Sequence, residues 1–114
     1  MAGLLISTDL LFANSLCQRA GMMGKELVMR SFTAACDDSA VTDVRMVLID
    51  LPTIATEVSS AISILRSKFP SAKLVAFGPH VHEALLQSAV DAGCDEVITR
   101  GQMHQFSQRY LNQL

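Results

Sequence analysis

Three charged residues stand at the ends of apolar runs, where they could act on one another. Asp9 follows Leu4-Leu5-Ile6-Ser7-Thr8, Asp50 closes Met46-Val47-Leu48-Ile49, and Arg100 follows Val97-Ile98-Thr99. A carboxylate that ends a wholly apolar run is costly to bury unless it reaches solvent, a cation or a hydrogen-bonding partner. Two such carboxylates on one rim can hold a hard divalent cation through oxygen ligands. A guanidinium beside them can pair with carboxylate or phosphate through its planar fork. The plain account of Asp50 is a strand-end acid that caps the next loop. The functional account is an acid held in place as nucleophile or ligand.

These residues need a scaffold that brings distant strand ends together, and the chain has the pattern for one. Leu4-Leu5-Ile6-Ser7 reads as a strand. Thr8 or Asp9 then caps a helix with Phe12, Ala13, Leu16, Cys17 and Ala20 inward, at spacings of three and four. Gly21 and Gly24 supply its stop, with Met22 and Met23 expected as gap-filling core residues. Glu26 to Arg30 is a second strand, and the stretch 31–43 reads either as a short helix around Ala34 to Ala40 or, at Asp37-Asp38-Ser39, as a loop. Arg45 to Asp50 is a third strand, whose unbroken apolar run suits the middle of a parallel sheet. Val58, Ala61, Ile62, Leu65 and Phe69 form one continuous helical stripe, stopped by Pro70. Lys73 to Phe77 is a fourth strand. After Gly78-Pro79 a helix is expected with Val81, Leu85, Ala89 and Ala92 inward, ending at Gly93. Glu96 to Thr99 is a fifth strand. Gly101 leads into a last helix bearing Met103, Phe106, Tyr110, Leu111 and Leu114.

Strands alternating with helices predict an α/β fold, with a parallel sheet between two helical layers. In such sheets ligands collect at the carboxyl ends of the strands, where Asp9, Asp50, Gly78 and Arg100 all fall. At 114 residues, 1–114 reads as one domain, large enough to bury about two thirds of its unfolded surface without disulfides or metal. Half of the residues are hydrophobic and 18% are charged, which excludes a disordered chain. A net charge of −2 and the lack of a basic cluster argue against a nucleic-acid partner. No run is long enough for a membrane span. Cys17, Cys36 and Cys94 are odd in number and widely spaced, as expected of reduced thiols in a cytoplasmic protein. His80, His82 and His104 are conceivable metal ligands, but two histidines two apart on a helix point in different directions, so exposed positions beside a cap are the simpler account. No Gly-rich phosphate loop or nucleophile elbow is present.

Over nearly its whole length the chain resembles the receiver domains of two-component response regulators. Met46-Val47-Leu48-Ile49-Asp50 is similar to the strand that ends in the phosphoacceptor, Lys73 to Phe77 to the fourth strand, and Leu85 to Arg100 to the fourth helix and fifth strand. The resemblance implies a flavodoxin-like three-layer sandwich, with a five-stranded parallel sheet in the order 2-1-3-4-5. It implies Asp50 as phosphoacceptor. It also implies Mg²⁺ held by Asp9, Asp50 and the Pro52 backbone carbonyl.

Against that family pattern the site is degenerate. The acidic pair after the first strand reads Thr8-Asp9, so one carboxylate is missing. Gly78 stands where the family has Thr or Ser, Arg100 where it has Lys, Gly101 where it has Pro, and Val97 where it has the switch aromatic. The expectation is an atypical or pseudo-receiver: a non-enzymatic signalling module with weak Mg²⁺ binding. It would act by contact with a histidine kinase or a downstream protein, or as a homodimer through its last two helices. Two alternatives are a conventional single-domain response regulator phosphorylated on Asp50, and a small flavodoxin-fold enzyme or nucleotide binder.

Overall fold

The computed structural model describes residues 2–37 and 43–114. The elements run β1 (Ala2–Ile6), α1 (Leu10–Met22), β2 (Leu27–Arg30), α2 (Phe32–Asp37), β3 (Val44–Asp50), a 3₁₀ turn (Leu51–Ile54), α3 (Val58–Lys68), β4 (Lys73–Gly78), α4 (Glu83–Asp91), β5 (Glu96–Thr99) and α5 (Arg100–Leu111). All strand pairs are parallel and the sheet order is β2-β1-β3-β4-β5. This is the expected flavodoxin-like α/β sandwich, strand order included.

The alternation of side chains along each strand builds two cores. Leu4, Ile6, Val47, Ile49, Leu74 and Ala76 face one side and pack with Val58, Ala61, Ile62, Leu65 and Phe69, the stripe read from the sequence of α3 and its end. Leu5, Met46, Leu48, Val75 and Phe77 face the other side and pack with Ala13, Leu16 and Ala20 of α1 and Met103, Tyr110 and Leu111 of α5. Burial on both faces explains why β3 and β4 carry no polar residue in mid-strand.

Helix starts follow capping chemistry. Asp9, rather than Thr8, caps α1 by accepting the Phe12 N–H. Thr99 caps α5 in a reciprocal box with Gln102, so α5 begins at Arg100, one residue before Gly101. The Ser31 hydroxyl accepts the Ala34 N–H, and α2 accordingly starts at Phe32, two residues before the expected start. The rest of the expected helix to Ala40 lies outside the described residues. Gly93 ends α4 with φ +96°, a conformation that only glycine adopts freely.

Three expected core positions are corrected. Val81 is 69% exposed, because Pro79 to His82 form a turn closed by the His82 N–H on the Pro79 carbonyl, and α4 starts only at Glu83. Met22 is exposed at the end of α1, while Met23 packs on the core beyond it. Phe106 is 40% exposed and Ser107 is buried instead. The backbone of Phe106 leaves helical geometry (φ −107°, ψ 15°), which rotates the second half of α5 relative to the first. Leu114 lies beyond the end of α5 and still packs against the second core.

Candidate functional site

The strand registers converge on one edge of the sheet. Ile6 pairs with Ile49, which sets Ser7 beside Asp50. Asp50 pairs with Phe77, and Gly78 with Thr99, so Arg100 follows at the same edge. Met46, Leu48 and Asp50 alternate onto the α1–α5 side, which directs the Asp50 carboxylate toward the two helix N-termini that carry Asp9 and Arg100.

There the side chains form a closed ionic cluster. Arg100 donates from one terminal nitrogen to Asp9 Oδ2 at 2.9 Å and from the other to Asp50 Oδ2 at 2.8 Å. The Ser7 hydroxyl donates to the same Asp50 oxygen at 2.8 Å. Ser7 Oγ in turn accepts the Asp9 N–H at 3.1 Å, which ties the β1–α1 turn to the cluster. The guanidinium carbon lies 4.7 Å from the Phe12 ring centre, and Phe12 is tilted against Phe77 at 5.3 Å. The fork is thus held by two acids and an aromatic face.

The electrostatics agree with this geometry. The Phe12 N–H and then Arg100 hold the Asp9 carboxyl below the usual range, since both stabilise its charged form. Burial works against the Arg100 charge, but attraction from Asp50 and hydrogen bonds to both acids outweigh it and raise the guanidinium above its ordinary value. Asp50 itself is 2% exposed, and its Oδ1 is buried with no hydrogen-bond partner.

The structure brings Asp9, Asp50 and Arg100 together as the sequence suggested. Arg100 spans the gap between the two acids, with one terminal nitrogen on each. The turn residue that touches Asp50 is Ser7 rather than Thr8 or Asp9, and sequence reasoning read Ser7 only as a strand end. Its signal is the register: Ser7 directly follows the residue paired with Ile49. That register shifts between Ala2 and Gly3, so strand lengths alone do not give it. Phe12, read as a core residue, also forms the face against which Arg100 lies. Gly78 sits at the same edge with ordinary space around it. A Cβ there would lie 3.5 Å from Leu51 Cβ, so the missing hydroxyl is not forced by crowding. Pro52 is exposed, in the 3₁₀ turn just after Asp50 whose Leu51 and Ile54 are buried.

As arranged, these residues do not fit a bound Mg²⁺. Such an ion demands near-octahedral oxygen donors, while the Oδ2 atoms of both acids already accept from Arg100. Among the described residues no group of three or more His, Cys, Asp and Glu side chains could hold a metal, His80, His82 and His104 included. Among the described residues no helix is long and apolar enough to cross a membrane.

Comparison with known proteins adds the fold context. No protein-family model matches the sequence, and no curated protein matches it. Solved structures do. A CheY-like response-regulator receiver domain from Methanospirillum hungatei superposes with a TM-score of 0.76 at 14% identity, covering 97% of this chain and 93% of that one. A response regulator from Thermotoga maritima gives a TM-score of 0.70 at 14% identity over 97% of both chains. A Burkholderia pseudomallei response regulator carrying a phosphorylated aspartic acid, a calcium ion and citrate gives 0.73 at 19% identity, covering 87% of this chain and 59% of that one. This chain has the receiver-domain fold. Within that fold Asp50 ends β3 and Arg100 opens α5, at the same carboxyl edge of the sheet.

Proposed function

We propose that the protein is a receiver-like signal-transduction module of two-component type, in which the phosphorylation site at Asp50 is degenerate and the domain works by binding other proteins. The observation that carries this reading is the Arg100 fork on Asp9 and Asp50. The nucleophile's Oδ2 accepts from Arg100 and Ser7, and the carboxylate is almost sealed from solvent. A phosphoryl group adds close to two negative charges and three acceptor oxygens, which need fresh donors and counter-charge. Gly78 offers no hydroxyl, and the guanidinium is already engaged.

The partner in this reading is a protein: a histidine kinase, a downstream effector or a second copy through α4 and α5. A shallow groove lined by Leu86, Val90, Val97 and Gln102 runs along α4, β5 and the start of α5, and supports a contact on that face. The small side chain of Val97 leaves no ring to report phosphorylation from β5.

The test is incubation with acetyl phosphate and Mg²⁺, followed by intact-mass measurement. The native chain is expected to gain no phosphoryl group. The variant Ser7→Asp/Gly78→Thr/Arg100→Lys, which supplies an acid at the turn residue that touches Asp50, a hydroxyl at residue 78 and a lysine at residue 100, is expected to gain one that Asp50→Asn abolishes. Stoichiometric modification of the native chain at Asp50 would overturn the reading in favour of a conventional single-domain regulator.

A further inference from the structure

Asp50 and Asp9 place two negative charges at one edge of the sheet, and one of them is buried. A buried carboxylate is stable only beside a counter-charge that is itself well hydrogen-bonded. In receiver-like geometry a dissociable ion could fill that place, but here a side chain of the protein stands in it. Arg100 contacts one oxygen of each acid with separate nitrogens and is backed by the Phe12 ring. It therefore draws the ends of β1 and β3 together from the first turn of α5.

A second observation points to an unused ligand atom. Asp50 Oδ1 is buried and has no partner, although Asp50 is 98% shielded from solvent. The fork thus satisfies the charge of the acid but only one of its two oxygens. With the guanidinium removed, two carboxylate oxygens would lack a partner, Asp50 Oδ1 and Asp9 Oδ2, and Asp50 Oδ2 would keep only the Ser7 bond. Asp9 Oδ1 stays on the Phe12 N–H. Such a set of hard oxygens suits a divalent cation.

Resting on the reading of Asp50 as a degenerate site, we propose that Arg100 is the built-in cation of this site, and that its charge and its bulk together close a latent divalent-cation site formed by Asp9 and Asp50. The protein is then held in one metal-independent state. Divalent ions neither stabilise it nor switch it, and whatever frees Arg100 from the two acids opens the site to them.

Manganese binding, counted from the free-ion electron paramagnetic resonance signal, tests this on the full chain. The native protein is expected to show no saturable site at millimolar Mn²⁺. Arg100→Gln is expected to show one site per chain, at least ~10-fold tighter than any native binding, because the repulsion between guanidinium and ion is lost. Adding Asp50→Asn to Arg100→Gln removes that site. Thermal melting gives a second readout. The Gln variant melts roughly 5–10 °C lower without metal and recovers with Mn²⁺, while the native melting temperature does not respond. If the Gln variant folds only with Mn²⁺, that is the same result in a stronger form. If it folds under neither condition, Arg100→Lys decides: it keeps the charge without the fork and must still bind Mn²⁺ more tightly than the native chain.

Tight stoichiometric Mn²⁺ binding by the native protein, or variants that bind no better than it does, would overturn the proposal. The two readings fail separately. A native chain that binds Mn²⁺ yet takes no phosphoryl group removes the built-in cation and leaves the degenerate site. A native chain phosphorylated on Asp50 that shows no Mn²⁺ site does the reverse.

Discussion

Two arginine–aspartate pairs sit at opposite edges of the same sheet, and they are built differently. At the amino edge, Asp95 just before β5 accepts the backbone N–H of Leu74 at 2.8 Å and the Arg66 guanidinium at 3.1 Å. Arg66 also donates to the carbonyls of Ala72 and Gly93. Both side chains of that pair are well exposed. At the carboxyl edge, Asp50 is buried and its described hydrogen bonds come from the side chains of Ser7 and Arg100. The first pair ties two strands by their backbone and leaves its charges in water. The second holds a buried charge with movable side chains from distant segments and leaves one oxygen unmatched. A carboxylate that only secures a fold is cheapest when hydrated and bonded to the main chain. One buried among side chains is costly unless a use keeps it there.

The difference should show first in stability. Removing Arg100 strands a buried carboxylate, whereas removing Arg66 leaves a hydrated one. Arg100→Ala is expected to cost about 2 kcal/mol, less than a fully buried pair because the guanidinium is partly exposed, against about 1 kcal/mol or less for Arg66→Ala. Asp50→Asn added to Arg100→Ala should return most of the loss, since the stranded charge disappears. Urea unfolding measures all three. Equal costs at the two edges would erase the contrast.

Acid unfolding sharpens it next. Asp95 keeps its pKa below the usual range, because the Leu74 N–H and Arg66 outweigh burial, which acts the other way. Asp9 is lowered by the Phe12 N–H and Arg100. A lowered folded pKa contributes stability that is complete above the unfolded value of about 3.9 and is lost as pH falls through the folded value. Stability should therefore fall below about pH 4. Asp95→Asn should flatten that decline at the amino edge and leave the Asp9 part in place. An unchanged acid limb in Asp95→Asn would show that the backbone-bonded acid contributes no linkage.

The smallest effect concerns Cys94, which lies beside the amino-edge pair. Burial pushes its thiol up to about 11, with Arg66 opposing the rise and Asp95 adding to it. The neutral thiol is the folded form's preference, so its contribution is present at neutral pH and lost as pH rises toward that value. Native Cys94 should react with iodoacetamide at pH 8 at least ~10-fold more slowly than in the unfolded chain. Arg66→Ala should slow it slightly further. Equal rates in folded and unfolded protein would contradict the burial.

Much of the scaffold was legible before any coordinates. The stripe from Val58 to Phe69 and the double-faced apolar runs of β3 and β4 carry period and burial in their residue types alone. Two of the misread positions, Val81 and Phe106, share a cause, which is that periodicity cannot see where a helix begins or bends. Val81 was assigned to α4 but falls in the turn before it. Phe106 continues the apolar stripe, but the bend in α5 turns it outward and Ser107 inward.

The sequence by itself determined the α/β alternation, both apolar faces of the sheet and the three charged residues of the site, because each follows from local residue types and spacing. Only the tertiary structure decided that Arg100 closes the gap between Asp9 and Asp50, that Ser7 is the residue touching Asp50, and that one Asp50 oxygen is left without a partner. Those facts depend on strand register and on the crossing of α1 and α5, which join residues 43 to 91 positions apart in the chain (7 and 50, 50 and 100, 9 and 100). No local pattern encodes a distance between side chains so far separated along the backbone.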